Sequence, residues 1–172
     1  PRSGAGRFVD VCRSGARTAE RAREIATSAQ RMNGMIQDLV DASRMRSGQM
    51  ALRYQPIDLP SFALDLKRRL ARAVDTGRIR VAIPDDLPSI PADPDRLELV
   101  LTNLLTNALK YAPSESEVLL TAKLSDGKVV VSVTDRWVGI APEDIGHLFQ
   151  PFYRTDAGRK AGGLGLGLSI AR

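Results

Sequence analysis

One cysteine and one histidine are the only thiol and the only imidazole in 172 residues. Cys12 alone builds no disulfide framework and suits a reducing cytosol, and His147 alone supplies no zinc ligand set. Aromatic residues make up 5% of the chain, too few among the basic side chains for a base-stacking nucleic-acid surface. The apolar stretches fall well short of a membrane span, and no secretory signal is visible. The expectation is a cytoplasmic protein, with any membrane attachment left to regions outside this sequence. Low-complexity tracts and internal repeats are also missing, which argues against disorder and against a solenoid.

What is present is an ordinary globular mixture, 43% apolar and 26% charged, with a net charge of +5. Arginines crowd the first fifty or so positions and are interspersed with acids elsewhere, which reads as a solvated helical face. From Thr18 to about Arg46, Ala22, Ile25, Ala29, Met32, Ile36 and Leu39 recur in steps of three and four, the seam of a bundle or coiled coil. Such an arm packs on its own domain or pairs with a second chain, and spacing alone allows both. The chain opens at Pro1 in mid-pattern and stops at Arg172 where an apolar helix is starting, so a fragment is expected.

Beyond the arm, Ser61 is expected to cap a helix that carries Phe62, Leu66, Leu70 and Val74 inward. "RIRVAIP" alternates as a strand with one wet face, and "DDLPSIPADP" reads as a loop. Asp93 before Pro94 signals a helix to about Tyr111. Val118, Leu120, Ala122 and Leu124 face one way along a strand; Asp126 and Gly127 turn a hairpin; Val129, Val131 and Val133 return. Separate runs of helix and antiparallel strand predict an α+β two-layer sandwich, residues 51–172, preceded by a helical arm at 1–50.

Three segments carry candidate chemistry. On the helix from Asp93, Asn103, Asn107 and Lys110 line up beside an apolar stripe. They are solvated polar groups, or oxygen donors for a hard cation with a lysine placed for phosphate. Asp135 shares the face of three core-facing valines. A carboxylate there either folds back on local amides or accepts from a ligand such as a nucleobase amine. "GGLGLGLSIAR" brings Gly162, Gly163, Gly165 and Gly167 to a helix start, a plain turn or a phosphate cradle. Between them, "HLFQPFYR" offers Phe149, Phe152 and Tyr153 as local packing and Arg154 as a surface charge or phosphate clamp.

Taken in order, "DPDRLELVLTNLLTNALKYAP", "VTDRWVGIAPEDIGHLFQPFYR" and "GGLGLGLSI" resemble the N, G1, F and G2 boxes of sensor histidine kinases. "TSAQRMNGMIQDLVDASRMRSGQM" resembles the second helix of that family's dimerisation and phosphotransfer domain, so the likeness runs from about residue 27 onward. It implies an ATP-binding sandwich of the type shared by gyrase, chaperone and mismatch-repair ATPases, the GHKL group. It implies ATP and Mg²⁺ as ligands, with Asn107 on the metal, Lys110 and Arg154 on phosphates, Tyr111 beside adenine and Asp135 on its amino group. Asn103, Gly139, Ile140, Phe149 and Leu166 fall in the same boxes and join the implied ATP site. Gly163, Gly165 and Gly167 would hinge a lid that begins near Thr155. A homodimer through the arm and a response-regulator receiver domain are the implied partners.

Three departures qualify the resemblance. Trp137 stands where the G1 box has glycine, and its indole would fill the adenine pocket, force the loop outward or swing into solvent. Weakened nucleotide affinity, or a scaffold that binds none, is the expectation from bulk alone. Second, no phosphoaccepting histidine is visible: His147 lies in the F-box region, and the Arg17-Thr18 echo would put Ser14 in the acceptor's place. Third, Asn103 occupies the position where hydrolytic relatives carry a glutamate base, and an amide takes up no proton at neutral pH.

Overall fold

A computed structural model of the protein describes Arg21, Met32 and residues 51–161 and 165–171. The chain divides into two compact units, Pro1–Asp41 and Ala42–Arg172. In the first unit Arg21 and Met32 are helical and exposed, and the rest of the expected arm lies outside the described residues.

The described part of the second unit, from residue 51, holds first a short strand that the sequence did not announce. β1 (Gln55–Ile57) pairs antiparallel with β3 (Ile90–Ala92), so the segment expected to be loop contributes a strand. Both strands carry a proline, tolerable because a two-stranded ribbon leaves outward N–H groups unclaimed. α1 (Leu59–Leu70) is capped by Asp58, not Ser61: the Asp58 carboxylate accepts the Ser61 N–H at 3.2 Å, with Pro60 in the first turn. β2 (Ile79–Ala82) runs parallel to β4 (Val118–Ser125), and β4 pairs antiparallel with β5 (Lys128–Thr134), giving the order β2-β4-β5. The hairpin turns on Asp126 and Gly127, both at positive φ, 51° and 73°. That is the signature of a two-residue turn whose twist matches the strands.

α2 (Pro94–Tyr111) lies between β3 and β4 in the chain and is the centre of the core. Its N-cap Asp93 is buried and accepts the N–H groups of Asp95 and Arg96, and also that of Arg53 at 2.8 Å. The Arg53 backbone donor holds this carboxyl below the usual carboxylate range against the opposing effect of burial. Leu101, Leu105 and Ala108 of α2 meet Ala63 and Leu66 of α1, Ile79 of β2, and Val118 and Leu120 of β4. Helices therefore cover one face of a mixed sheet, the α+β layering expected. Leu124 departs from expectation, since it is exposed near the hairpin tip, past the helical cover.

Arg78 ties the C-terminal end of α2 to the sheet. Its guanidinium donates to the Leu109, Pro113 and Ser116 carbonyls at 3.2, 2.6 and 2.9 Å, filling acceptors that a helix end leaves open. Charge-assisted bonds of this kind contribute about 1.5–3 kcal/mol each before exposure discounts them. Arg78→Met should accordingly cost about 2–3 kcal/mol in total, read as a lower urea midpoint at unchanged m-value. A loss under about 0.5 kcal/mol, the range of an ordinary surface change, would show the fan to be incidental.

Candidate functional site

The buried stripe of α2 sets the helix's rotation and leaves Asn103, Asn107, Lys110 and Tyr111 beside it. Asn103 and Asn107 are half-buried, and Asn103 Nδ2 is buried without a hydrogen-bond partner. Lys110 is exposed, its ammonium 5.1 Å from the centroid of the Tyr111 ring.

β5 delivers the next group. Strand alternation predicts Asp135 turned toward the core, but β5 ends at Thr134 and the pleat does not continue. Asp135 is exposed, and its Oδ1 accepts the Trp137 backbone N–H at 2.8 Å, the local-amide alternative. Trp137 does not swing into solvent: half-buried, it packs on Tyr111 with ring centroids 5.5 Å apart and planes at 40°. Its φ is not positive, whereas Gly139 sits at φ 95°. Of these two loop positions, the backbone thus demands glycine at 139 and tolerates an indole at 137. Ile140 and Phe149 are exposed.

α3 (Pro142–Ile145) opens the next segment, where the Tyr153 hydroxyl donates to Asp144, a bond that pushes the phenol above its ordinary range. His147 stacks 5.2 Å from the Tyr153 ring and pairs with Gln150. Phe152 adopts φ 67°, rare for a bulky residue, and its N–H donates to the Gly165 carbonyl at 3.0 Å. Arg154 donates to the carbonyls of Gly158 and Arg159 in α4 (Asp156–Ala161).

Gly165 has φ 73°, and a Cβ there would stand 2.7 Å from the Tyr153 carbonyl oxygen and 2.9 Å from Arg154 Cγ. Leu166 is buried behind it, and Gly167 starts α5 (Gly167–Ile170), where a Cβ would meet Asn103 Oδ1 at 3.0 Å. Gly163 lies outside the described residues. Two features were not anticipated from the sequence: the positive φ of Phe152, expected only as local packing, and Gly158. Gly158 is buried, donates its N–H to the Thr155 hydroxyl oxygen at 3.1 Å, and faces the Tyr111 hydroxyl, 3.6 Å from where its Cβ would stand. A threonine three residues ahead of a glycine is a local cap signal that would have found it.

The structure therefore gathers segments far apart in the chain. Asn103 touches the start of α5, Tyr111 touches both Trp137 and the α4 turn, and the residues before Arg154 close on Gly165. Residues 92–172 match the family model described as "Histidine kinase-, DNA gyrase B-, and HSP90-like ATPase". The chain is 31% identical over 156 residues to the "Sensor-like histidine kinase SenX3" of Mycobacterium tuberculosis, covering 88% of this chain and 38% of that protein. It is 31% identical over 157 residues to the "Non-motile and phage-resistance protein" of Caulobacter vibrioides, covering 87% of this chain and 19% of the relative. Among solved structures, full-length ShkA in complex with AMPPNP superposes with TM-score 0.67 at 31% identity, covering 80% of this chain and 29% of that one. The catalytic domain of the histidine kinase ThkA gives 0.58 at 27% identity, covering 70% of this chain and 79% of that one.

Residues 92–172 belong to the family of histidine kinase-, DNA gyrase B- and HSP90-like ATPase domains. The chain spans about a fifth to two fifths of the length of those two curated relatives. Within this domain the described parts of the segments quoted from the sequence meet around α2. No helix among the described residues is long and apolar enough to cross a membrane.

Among the described glycines, Gly165 has the tightest surroundings. Gly165→Ala should cost roughly 2–4 kcal/mol, because a left-handed backbone and a backbone clash add. Gly127→Ala, with φ 73° and nothing within 4 Å of its Cβ, should cost only about 1–2 kcal/mol. Equal losses in chemical denaturation would refute the assignment of a steric closure at Gly165.

Proposed function

We propose that the protein is a histidine autokinase module that binds MgATP and passes its γ-phosphoryl group to a histidine other than His147. The approach of Gly167 to Asn103, and of Trp137 and Gly158 to Tyr111, along the C-terminal half of α2 carries this reading. The fit to a polar ligand rests on Asn103: its buried Nδ2 has no partner, and an unsatisfied amide is costly unless a water or ligand oxygen meets it.

Asn107 would hold the Mg²⁺ through its amide oxygen, with Lys110 and Arg154 on phosphate oxygens. Tyr111 would lie against adenine, and Asp135 would use the carboxylate oxygen not bound by Trp137 to accept the adenine amine. Gly139, Ile140, Phe149 and Leu166 would shape the loops around the base and the lid, and Gly163, Gly165 and Gly167 would bring backbone N–H groups to the phosphates. Bound MgATP supplies the phosphoryl group, and its metal screens charge as the bond to ADP breaks. Asn103 supports transfer over hydrolysis, because its amide draws no proton from water. The unprotonated imidazole nitrogen of the acceptor would form the N–P bond as the P–O bond to ADP breaks, and the proton on the other ring nitrogen would pass to solvent. His147, held against Tyr153 and Gln150, belongs to the fold of its own segment. His147 being the single histidine here, the acceptor is then carried on residues other than these 172 or on another chain, in a homodimer that goes on to phosphorylate a receiver domain in the cytoplasm.

Calorimetry with ATP should show Mg²⁺-dependent binding that Asn107→Ala weakens about ten-fold, the equivalent of one metal contact of about 1.4 kcal/mol. Labelled ATP with a separate histidine-bearing helical domain should then yield acid-labile phosphohistidine. Free phosphate alone would make the protein a hydrolase, and absence of nucleotide binding would sink the reading altogether.

A further inference from the structure

Trp137 is the chain's single tryptophan, and bulk alone makes it an obstacle. Its surroundings say otherwise. From Thr134 to Glu143 every residue is exposed except Trp137, so the loop turns this one side chain inward. The turn is held by the Asp135 carboxylate, whose Oδ1 binds the Trp137 N–H at 2.8 Å. The backbone there needs no glycine. Across from it stands Tyr111, 5.5 Å away between centroids, with the planes inclined at 40°.

That inclination matters. Aromatic pairs favour offset-parallel or perpendicular contacts, and a 40° tilt makes neither. The two rings meet at an angle, the Lys110 ammonium lies over the Tyr111 ring, and Asp135 is bonded to the backbone that carries the indole. The indole is half-buried rather than sealed, and its Nε1–H has no hydrogen-bond partner among the described residues. A planar, polar heterocycle would complete the burial of one ring face and give the indole N–H an acceptor.

We propose that Trp137 is a nucleobase-stacking residue: with Tyr111 it forms an aromatic corner beside Asp135 that takes the base of the nucleotide and favours a purine over a pyrimidine. The inference rests on the nucleotide-binding reading above and deepens it, assigning base recognition to a side chain that bulk alone marks as a plug. The larger face of a two-ring base gains more from stacking than a single ring does. An amine on that base meets the carboxylate oxygen left over by the turn.

Calorimetry with MgATP and MgCTP on the intact chain, its Trp137→Ala and Trp137→Phe variants, together with tryptophan emission of the wild type, decides the matter. The expected result is ATP binding that Trp137→Ala weakens about ten-fold, within the range for loss of one base-stacking ring. Trp137→Phe should stay within about three-fold of wild type, since a stacking face is kept. CTP should bind more weakly than ATP and lose less in Trp137→Ala, and wild-type emission should change saturably with the calorimetric ATP affinity. Unchanged or tighter ATP binding in a folded Trp137→Ala variant would make the indole a bystander or a plug and overturn the proposal. Saturable ATP binding without an emission change would do the same while leaving the nucleotide site standing. No binding of ATP to wild type would overturn the nucleotide reading and this inference together. Should Trp137→Ala fail to fold, the phenylalanine variant and the wild-type emission carry the decision.

Discussion

Burial of one stripe of α2 is the constraint on which the rest depends. Leu101, Leu105 and Ala108 must all leave water, and together with α1 and the sheet they allow the helix one rotation. Asn103, Asn107 and Lys110 then have no choice of direction, because helical spacing ties them to the stripe. The two ends of the helix are held by different means. Asp93 satisfies three backbone donors at the start, and Arg78 fills three carbonyl acceptors at and beyond the end. A helix fixed at both ends and along one face is a rigid base for a site assembled from loops.

The loops close on that base by backbone geometry more than by side-chain attraction. Gly165 turns where no Cβ fits, and its carbonyl takes the N–H of Phe152, itself forced to positive φ. Such strain persists only where the surroundings over-determine it, and it concentrates at functional loops. The exposed ion pairs, such as Arg53 with Asp95, add little to this, because water screens them. Arg69 and Glu98, doubly bonded between α1 and α2, are the better-formed exception.

Trp137 shows how a departure from a family pattern is read by physics. Glycine in a loop motif answers two separate needs, a positive φ or room for a neighbour. At position 139 the first need is real; at 137 it is not, and the space is shared with Tyr111. The side chain's consequence then turns on its neighbours, which a motif comparison does not contain.

Much of this protein was legible in the residues taken one stretch at a time. The cap of α2, its two faces, the Asp126–Gly127 hairpin and the order of the four boxes are local patterns, each decided within a few residues by capping, periodicity or backbone freedom. What only the tertiary structure decided joins positions far apart. The pairing of β1 with β3, the reach of Arg78 to the end of α2, the contact of Gly167 with Asn103 and the packing of Trp137 on Tyr111 all need distant chain to be brought together. Asp135 belongs to that group as well: alternation pointed it inward, but where β5 stops is set by the sheet around it, and one residue past the last pleat a side chain is free to turn.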